Sequence, residues 1–569
     1  MLSYDMNAHG ENPLYVHLCA CIRNDIEAGA IAPHEKLPSK RALARNLDVA
    51  VVTVEAAYAQ LIAEGYLYAE PRRGYFACEL QHANDDAPDA ADEDATPPLP
   101  SHDRAPARRG GAAPAGRPPI SQAEARRAAA RSRTRVDAPK REAAPRTARS
   151  RFDLSPEAVS SEAFPFALWT KMLRDTLALE PKETLIGAGD PRGEERLRRA
   201  IADHLRHTRG FCVDPDCIVV GAGSQVLFAL VAQLFGRPAR VAVENPCSAG
   251  VPGVYEAHGL SVRRIPLDEH GMDIDALRAC GCTLAHVGPS HQFPTGIAMP
   301  VSRRYELLAW AGESPDRYIV EDDFDSECRL AGKPLPTLAS IDGSGRVIYA
   351  NTFSKTLGPG FRIAYLVLPR ALRDAFADRL GFYSCTVSAI EQIALARFME
   401  RGDFERFVNR TKTRCRAVRD ALVDAIEKTP AAQRIAFENA DAGLHLIMRI
   451  EAKSPERPAK KPAAHAGWQR PSACGGAARK AAEPESEPER DDDAKKRLED
   501  ALVRSLARQD VRVAALSSFD AAAAGLRADE ETAEPGRIAC RLVVGFAALS
   551  ETQARAAAEA LWRGIAPFI

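Results

Sequence analysis

The first part of the chain carries apolar residues at helical spacing. An apolar residue recurs every four positions at Leu14, Leu18, Ile22 and Ile26, which predicts a first helix with one apolar face. Ser39 is a candidate N-cap for a short second helix, and the apolar stripe of a third helix ends at Gly65. The segment GYLYAEPRRGYFAC then predicts two short strands around a turn at residues 71–74. Three helices followed by a hairpin predict a winged helix-turn-helix over residues 10–78.

From residue 152 onward, helical periods alternate with short apolar runs rich in β-branched residues. The runs include CIVVGAG, RVAVENP, TLAHVGP, YIVEDDFD and RVIYANTFSK. Strands and helices that alternate at this spacing predict an α/β fold with a mainly parallel sheet. Ligands of such sheets bind at the carboxyl ends of the strands, and most of the polar residues of these runs fall there.

Two stretches are too polar, and too rich in Ala and Pro, to form a core. Residues 79–151 begin acidic and become basic, which predicts a disordered linker with at most a transient helix over 122–130. Residues 451–495 have the same character, so we expect a low-complexity insertion inside a domain that spans 152–569.

Composition limits the kind of protein that this chain can be. A chain of 569 residues is too long for one core, and a formal charge of −1 means that any basic surface must be local. No apolar run approaches the ~20 residues of a membrane span. The first 15 residues have no basic segment that leads into an apolar stretch, so we do not expect secretion. The 13 cysteines lack paired CxxC spacings, so we expect reduced thiols, no metal site and a cytoplasmic location.

The N-terminal segment resembles the GntR-type regulators over about 65 residues. The segments PLYVHLCACIRNDIEAGAI, LPSKRALARNL, TVEAAYAQLIAEGYL and the wing glycine all fit that family. The resemblance implies contacts to double-stranded DNA from Arg41, Thr53, Arg72, Arg73 and Gly74. The alternative for each arginine is a solvated surface charge. The basic half of the linker is either a solvated tether or a source of salt-sensitive DNA affinity.

The start of the third helix departs from this family. A polar run usually stands there, whereas this chain has Ala50-Val51-Val52-Thr53. We therefore expect base reading to rest on thymine-methyl contacts by Val51 or Val52, to come from the wing, or to be weak.

The stretch NTFSKTLGPGFR combines a lysine, hydroxyl groups and an arginine. Lys355 is a candidate for an imine, which requires a neutral amine of the kind that burial or a nearby cation favours. Thr352, Ser354 and Arg362 can hold a phosphate beside it. Asp322, at the end of YIVED, can keep a pyridine nitrogen protonated. This combination predicts a pocket for pyridoxal 5'-phosphate (PLP).

A glycine-rich turn adds a second phosphate-binding element. The turn Gly221-Ala-Gly-Ser-Gln225 opens an apolar helix, whose first N–H groups favour an anion. The motifs together resemble the fold type I aminotransferases of class I over nearly all of 152–569. The matching motifs are GDPRG, VENP, GPSHQFPTG, VEDDFDSE and TFSKTLGPGFR. A GntR-like head joined to such a domain resembles the MocR-type regulators.

This resemblance implies a PLP-dependent transferase fold with a smaller α+β subdomain, in a homodimer whose second subunit completes the pocket. Lys355 would form the Schiff base. The other cofactor contacts would come from Asp322, Thr352, Ser354, Arg362, Gly223, Ser224 and Gln225, with His291, Gln292 and Phe293 along the edge of the ring. Arg541 would bind the α-carboxylate of an amino-compound effector; the alternative is an ordinary strand-edge arginine.

Three positions depart from the family pattern in the same pocket. Ser248 replaces an aromatic that stacks on the pyridine, Phe324 replaces a tyrosine that bonds the phenolic oxygen, and Ala188 replaces a tyrosine that reaches the partner's phosphate. At about 1 kcal/mol each, these losses would weaken cofactor affinity on the order of a hundredfold.

Three functions are compatible with these patterns. The first is a transcriptional regulator whose PLP-binding domain senses an amino compound. The second is a working aminotransferase with an accessory DNA-binding head. The third is a degenerate domain that binds no cofactor and only dimerises the heads.

Overall fold

The computed structural model describes most of the two predicted domains. The described residues are 4, 6, 14–47, 49–70, 73–78, 150–330, 336–441, 443–453, 487–520 and 537–569. The predicted linker, apart from its last two residues, lies outside these ranges, and so does most of the predicted insertion. The ends of the insertion differ from the prediction, because a strand continues through Lys453 and a helix begins at Glu487.

The N-terminal domain has the predicted winged helix-turn-helix arrangement. Its elements are α1 (Leu14–Glu27), β1 (Lys36–Leu37), α2 (Lys40–Leu47), α3 (Val51–Ala63), β2 (Leu67–Glu70) and β3 (Gly74–Ala77). The strands form an antiparallel sheet in the order β1-β3-β2. Leu18, Ile22, Leu43 and Leu61 are fully buried between the helices, as the helical spacing of apolar residues predicts.

The second domain alternates strands and helices. Its strands are β4 (Phe152–Asp153), β5 (Ile218–Gly221), β6 (Arg240–Asn245), β7 (Ser261–Asp268), β8 (Gly271–Met272), β9 (Leu284–Val287), β10 (Tyr318–Asp322), β11 (Val347–Thr352), β12 (Ala364–Val367), β13 (Ile435–Glu438), β14 (His445–Lys453), β15 (Val511–Arg512), β16 (Ala514–Ala515) and β17 (Arg537–Gly545). Its helices are α4 (Phe166–Leu179), α5 (Lys182–Ile186), α6 (Glu195–Arg209), α7 (Ser224–Phe235), α8 (Gly250–Ala257), α9 (Ile274–Ala279), α10 (Val301–Gly312), α11 (Leu338–Ile341), α12 (Arg370–Leu380), α13 (Ala389–Glu400), α14 (Asp403–Glu427), α15 (Glu487–Ala507) and α16 (Glu551–Ile565). Within the described ranges, no helix has the length and apolar character needed to cross a bilayer.

Eight of these strands form one large sheet in the order β5-β12-β11-β10-β9-β6-β7-β8. Strands β11, β10, β9, β6 and β7 run parallel to their neighbours in this series, and β12 is antiparallel to both of its neighbours. The carboxyl ends of β5, β6, β7, β9, β10 and β11 therefore lie at the same edge. This arrangement confirms the predicted mainly parallel sheet.

Helices cover both faces of this sheet. Val219 faces a core cluster with α7 and α12, whereas Val220 faces a cluster with α6 and α13 on the opposite side. A strand buried on both faces is expected to be apolar at every position, which explains the continuous run IVVG in β5.

A smaller α+β subdomain follows the large sheet, as predicted. Its antiparallel sheet has the order β13-β14-β17-β16, and α14, α15 and α16 pack against it around one core. Strand β4 pairs in parallel with β15, so the start of the domain is joined to this subdomain.

The winged helix packs against α10. The backbone N–H of Val301 donates to the carbonyl of Glu64 over 3.3 Å, and the Val301 side chain is buried in the core of the winged helix. Gly65 has a φ of 79°, and a Cβ there would lie 2.9 Å from the Val301 nitrogen. The two backbones can approach this closely because Gly65 has no side chain.

Arg304 ties α10 to the loop that precedes it, residues 288–299, which we call the site loop. Arg304 is buried and donates to the carbonyls of Pro289 (2.8 Å) and Met299 (2.9 Å), and also to that of Pro336. Burial lowers the pKa of its guanidinium to about 10. Because this one buried side chain bonds carbonyls at both ends of the site loop, the loop and α10 are held as one unit.

Candidate ligand pocket and DNA-binding surface

A cavity of about 230 Å³ lies at the carboxyl edge of the large sheet. Its walls come from the ends of β6, β10 and β11, from the start of α7, and from the site loop. The predicted site residues that line it are Ser224, Gln225, Phe293, Asp322, Thr352, Ser354, Lys355 and Arg362. The parallel strands bring these positions together, although up to 138 residues separate them along the chain, from 224 to 362.

Lys355 lies in the turn that follows β11. Its Nζ donates to the carbonyl of Pro156 over 3.1 Å and lies 5.6 Å from the centre of the Phe324 ring. The side chain is half-buried and lines the cavity. The amine is therefore held at the cavity by a neutral acceptor and an aromatic face.

An anion cradle stands beside this amine. Gly223 precedes α7 with a φ of 92°, and a Cβ there would lie 2.3 Å from Nη2 of Arg362. Arg362 can cross the start of α7 only because Gly223 has no side chain, and its Nη2 donates to the Ala222 carbonyl over 3.3 Å. The N-terminus of α7 adds unsatisfied N–H groups and a positive helix end.

Ser354 contributes a hydroxyl that has no hydrogen-bond partner among the described residues. Its Oγ is buried, whereas its backbone N–H donates to Oγ1 of Thr352 over 3.1 Å. A buried hydroxyl without a partner costs free energy unless a ligand satisfies it. The cradle of Ser224, Ser354 and Arg362 therefore fits a phosphate group.

Asp322 ends β10 at the floor of the cavity. One carboxylate oxygen lies 3.5 Å from Nε2 of His286, whose Nδ1 lies 3.0 Å from the hydroxyl of Tyr255. The sequence analysis missed both partners, although a histidine within the apolar run TLAHVGP was a signal. These contacts place the Asp322 carboxylate at the cavity floor, where it can pair with a cationic group of a ligand.

Glu244 is a second acidic group that the sequence analysis missed. It is fully buried at the end of β6 and accepts from the Gly288 N–H (3.1 Å) and from Nε2 of Gln292 (3.3 Å). Burial raises the pKa of Glu244 to about 7, and the nearby charge of Asp322 acts in the same direction. The Glu244 carboxyl fastens the site loop to the sheet.

The three residues expected along the ring edge have different positions. Phe293 lines the cavity, whereas Gln292 is buried and donates to the carbonyl of Pro246 over 2.8 Å. His291 is also buried, with Nδ1 2.7 Å from Oδ2 of Asp325. Only Phe293 of these three is therefore a cavity-lining residue.

His291, Asp325 and His445 bring together donor atoms that lie within 4.8 Å of one another, a spacing that could hold a metal ion. Hydrogen bonds already engage the group, since Nδ1 of His291 contacts Asp325 and Nε2 of His445 lies 3.1 Å from the Pro294 carbonyl. Burial, and then the neighbouring His291, lower the pKa of His445 well below its usual value. The absence of a metal site stays a prediction.

The three departures from the family pattern lie in two places. Ser248 and Phe324 line the cavity, where the expected aromatic ring and tyrosine hydroxyl are missing. Phe324 also stacks on His291 with ring centres 6.2 Å apart. Ala188 is exposed on a different surface, next to α5.

Arg541 lies in β17 and does not line the cavity. Its Nε donates to Glu438 over 3.1 Å, and its neighbour across the sheet is Arg449. Val543, two residues further along the same face of β17, packs with Ile447 instead. The structure thus does not bring the predicted carboxylate clamp to the pocket.

The predicted DNA contacts lie on α2, α3 and the wing. Arg41 is exposed on α2, and Thr53 lies in the first turn of α3. Val51 and Val52 at the tip of α3 are 43% and 73% exposed, so both side chains are accessible to a DNA groove. Ala50 provides no side-chain cap at this helix start.

The wing contributes Arg73 and Gly74 at the turn between β2 and β3. Arg73 is exposed, pairs with Glu70 and lies over the Phe76 ring at 5.6 Å. Gly74 has a φ of 124°, and a Cβ there would lie 3.2 Å from Cε of Lys36. Lys36 is an additional basic group that the sequence analysis missed, and Arg72 lies outside the described residues.

Two protein families match this chain. Residues 160–561 match the family described as "Aminotransferase class I and II", and residues 14–76 match "Bacterial regulatory proteins, gntR family". Among solved structures, the kynurenine aminotransferase of Pyrococcus horikoshii has a TM-score of 0.56 at 21% identity, covering 74% of this chain and 92% of that one. This similarity shows the aminotransferase fold.

Curated relatives match most of this chain. The HTH-type transcriptional regulator YhdI of Bacillus subtilis is 32% identical over 81% of this chain and 88% of its own length. The probable rhizopine catabolism regulatory protein MocR of Rhizobium meliloti is 31% identical, over 79% and 84% of the two chains. The pyridoxine biosynthesis regulator PdxR of Corynebacterium glutamicum is 28% identical, over 78% and 84%.

The winged helix, the eight-stranded mixed sheet and these matches lead to one assignment. The aminotransferase class I fold family is PLP-dependent, and GntR regulators bind DNA through the winged helix. The chain belongs to the MocR-type branch of the GntR family, and it is a DNA-binding transcriptional regulator that carries an aminotransferase-like domain.

Proposed function

We propose that the aminotransferase-like domain binds PLP through Lys355, and that an amino compound at this site controls DNA binding. One observation carries the proposal: the unpartnered Ser354 hydroxyl, the start of α7 and Arg362 form an anion cradle in the same cavity as Lys355 and Asp322. A lysine in a solvent-facing loop would have neither an anion cradle nor a carboxylate beside it. Bound PLP would supply an aldehyde carbon that condenses reversibly with primary amines.

Each group of the pocket has a role in this proposal. The Lys355 amine forms the covalent link to the cofactor, and the Asp322 carboxylate holds a proton at the ring nitrogen. Ser224, Ser354 and Arg362 bind the phosphate through charge-assisted hydrogen bonds. Phe293 and Phe324 exclude water from the ring, while His286 positions Asp322.

The altered pocket favours a sensor over a working aminotransferase. Turnover needs a tightly held and electronically tuned ring, whereas Ser248 cannot stack on it and Phe324 cannot donate to its phenolic oxygen. The retained Lys355, Asp322 and Arg362 favour the enzyme as the second candidate. Multiple turnovers of an amino donor with a keto acid, at ordinary enzyme rates, would support that alternative.

Coupling to DNA would pass through the site loop and α10. The site loop reaches the cavity through Phe293. Arg304 fixes this loop to α10, and Val301 joins α10 to the winged helix. A ligand that shifts the site loop would therefore also shift the winged helix. Coupling requires that the ligand binds two arrangements of the head with different affinity.

The same chain would act as a homodimer in the cytoplasm. Leu177, Leu179 and Ile186 are exposed within ten residues of one another, next to Ala188, at the position where the family places a contact to the partner's phosphate. Ile186 is 85% exposed. Neighbouring apolar side chains exposed in this way favour a protein interface over solvent.

Borohydride reduction tests the covalent link. Reduction of the PLP-treated protein, followed by peptide mass mapping, should place a pyridoxyl group on Lys355, and Lys355→Ala should remove it. Lys412 is the matched control, because burial lowers its pKa and so favours a neutral amine, but it lies outside the cavity. A label on Lys412, or one that persists in Lys355→Ala, would contradict the proposal.

Substitution of Val301 tests the coupling path. Val301→Asp should separate the winged helix from α10 by burying a charge, while Lys355 still takes the pyridoxyl label. The ratio of DNA affinities with and without PLP should fall to about one in this variant, measured by fluorescence anisotropy. Glu313→Gln, at the exposed far end of α10, is the control and should keep the wild-type ratio. An unchanged ratio in Val301→Asp would rule out this path.

Replacement of thymine by uracil tests whether Val52 contacts thymine methyl groups. The DNA is a sequence selected for binding to this protein. Loss of the thymine methyl should weaken wild-type binding by about 0.8 kcal/mol, roughly fourfold, since that is the value of one buried methyl group. Val52→Ala should bind the two DNAs almost equally. Ile62→Ala, exposed near the other end of α3, should still distinguish them. Equal binding of the two DNAs by the wild type would exclude a methyl contact.

Sedimentation equilibrium tests the dimer. The wild type should be dimeric at micromolar concentration, and Leu179→Glu should shift it towards monomer, since it places a charge in an apolar interface. Leu14→Glu, at an exposed apolar position of the winged helix, is the control and should leave the dimer intact. A monomeric wild type would refute the proposed interface.

A further inference from the structure

The charged groups of the cavity are unbalanced. Among the described residues that line it, Lys355 is the lysine, Arg362 the arginine and His286 the histidine, and the acidic side chains are Glu157, Glu244 and Asp322. This inference rests on the proposed function, in which Lys355 forms a covalent link to the aldehyde carbon of the cofactor and Arg362 binds its phosphate. His286 already contacts Asp322 and Tyr255, so these lining residues leave no lysine or arginine for the carboxylate of an effector.

The wall that should carry a carboxylate clamp is apolar. Val543 packs with Ile447 and Leu516 behind Phe519, whose ring centre lies 5.2 Å from that of Phe293 at the cavity. Arg541 lies two residues away on the same strand face, a distance of about 7 Å, and Glu438 engages it. A carboxylate against this wall would lose water without gaining a hydrogen-bond donor.

An exposed carboxylate stands on the lysine side of the cavity. Glu157 lines the cavity directly after Pro156, whose carbonyl accepts from Nζ of Lys355 over 3.1 Å. Substituents of a molecule that joins the cofactor in place of Lys355 would therefore emerge near Glu157. A second positive charge would be attracted there, and a carboxylate would be repelled.

We propose that the effector is a primary amine without a carboxylate, and that diamines are the favoured class. The step is an exchange at one carbon: the carbon–nitrogen bond to the incoming amine forms and the bond to Lys355 breaks. The incoming ammonium would give up two protons, and Nζ of Lys355 would take up two and leave as an ammonium, so the exchange balances without an oxidant or reductant.

Calorimetry on the PLP-loaded full-length protein tests this specificity. The probes are 1,4-diaminobutane, butylamine, 4-aminobutanoate and 2-aminopentanoate, which have similar lengths and differ in their charged groups. The diamine should bind at least about tenfold more tightly than either amino acid, with butylamine between them. An amino acid that binds as tightly as the diamine would overturn the proposal.

Two variants identify the responsible carboxylate. Glu157→Gln should weaken diamine binding up to about fivefold, the range of an exposed ion pair, and leave butylamine binding unchanged. Glu162→Gln removes an exposed carboxylate that does not line the cavity and should leave both affinities unchanged. Unchanged diamine affinity in Glu157→Gln would remove Glu157 from the account.

Borohydride labelling of Lys355 in the same samples separates the two levels of the argument. A labelled Lys355 together with preferred binding of amino acids would overturn only the effector class. A protein whose Lys355 takes no label would overturn the proposed function and the effector class together.

Discussion

The geometry of the parallel sheet is the constraint on which the site depends. Six strands end at one edge, so a carboxylate from β10, hydroxyls and a lysine from the turn after β11, and the start of α7 face one cavity. A register slip in a strand buried on both faces would draw a polar end residue into the core, and this cost fixes the positions of the polar groups at the strand ends. The close approach of Arg362 to Gly223 then closes the anion cradle.

The same edge is mechanically connected to the DNA-binding head. The site loop leaves the cavity at Phe293, is fastened to the sheet through Glu244 and to α10 through Arg304, and α10 begins at the contact with Glu64. Cores of this kind change between discrete packings and do not deform continuously. A ligand that alters the site loop therefore has a contiguous set of buried contacts through which to bias the head.

Local motifs allowed much of this to be predicted. Apolar periodicity predicted the three helices of the head, and the β-branched runs predicted the strand that ends at Asp322 and the strand that precedes the turn of Lys355. The contacts of His286, Glu244 and Arg304 could not be predicted, because each depends on elements far apart in sequence. Arg541 shows a different limit, because the sequence does not fix which residue of β17 lies nearest the cavity. Arg541 pairs with Glu438, whereas Val543, two residues further along, lies near the cavity wall.

A crystal structure of the protein with PLP is the most direct test of the central claim. We expect continuous density from Nζ of Lys355 to the cofactor, with its phosphate against Ser224, Ser354 and Arg362 and its ring nitrogen at Asp322. Nζ of Lys355 would then no longer donate a hydrogen bond to the carbonyl of Pro156. Density that places the phosphate elsewhere, or an Nζ of Lys355 that still donates to the carbonyl of Pro156, would contradict the account.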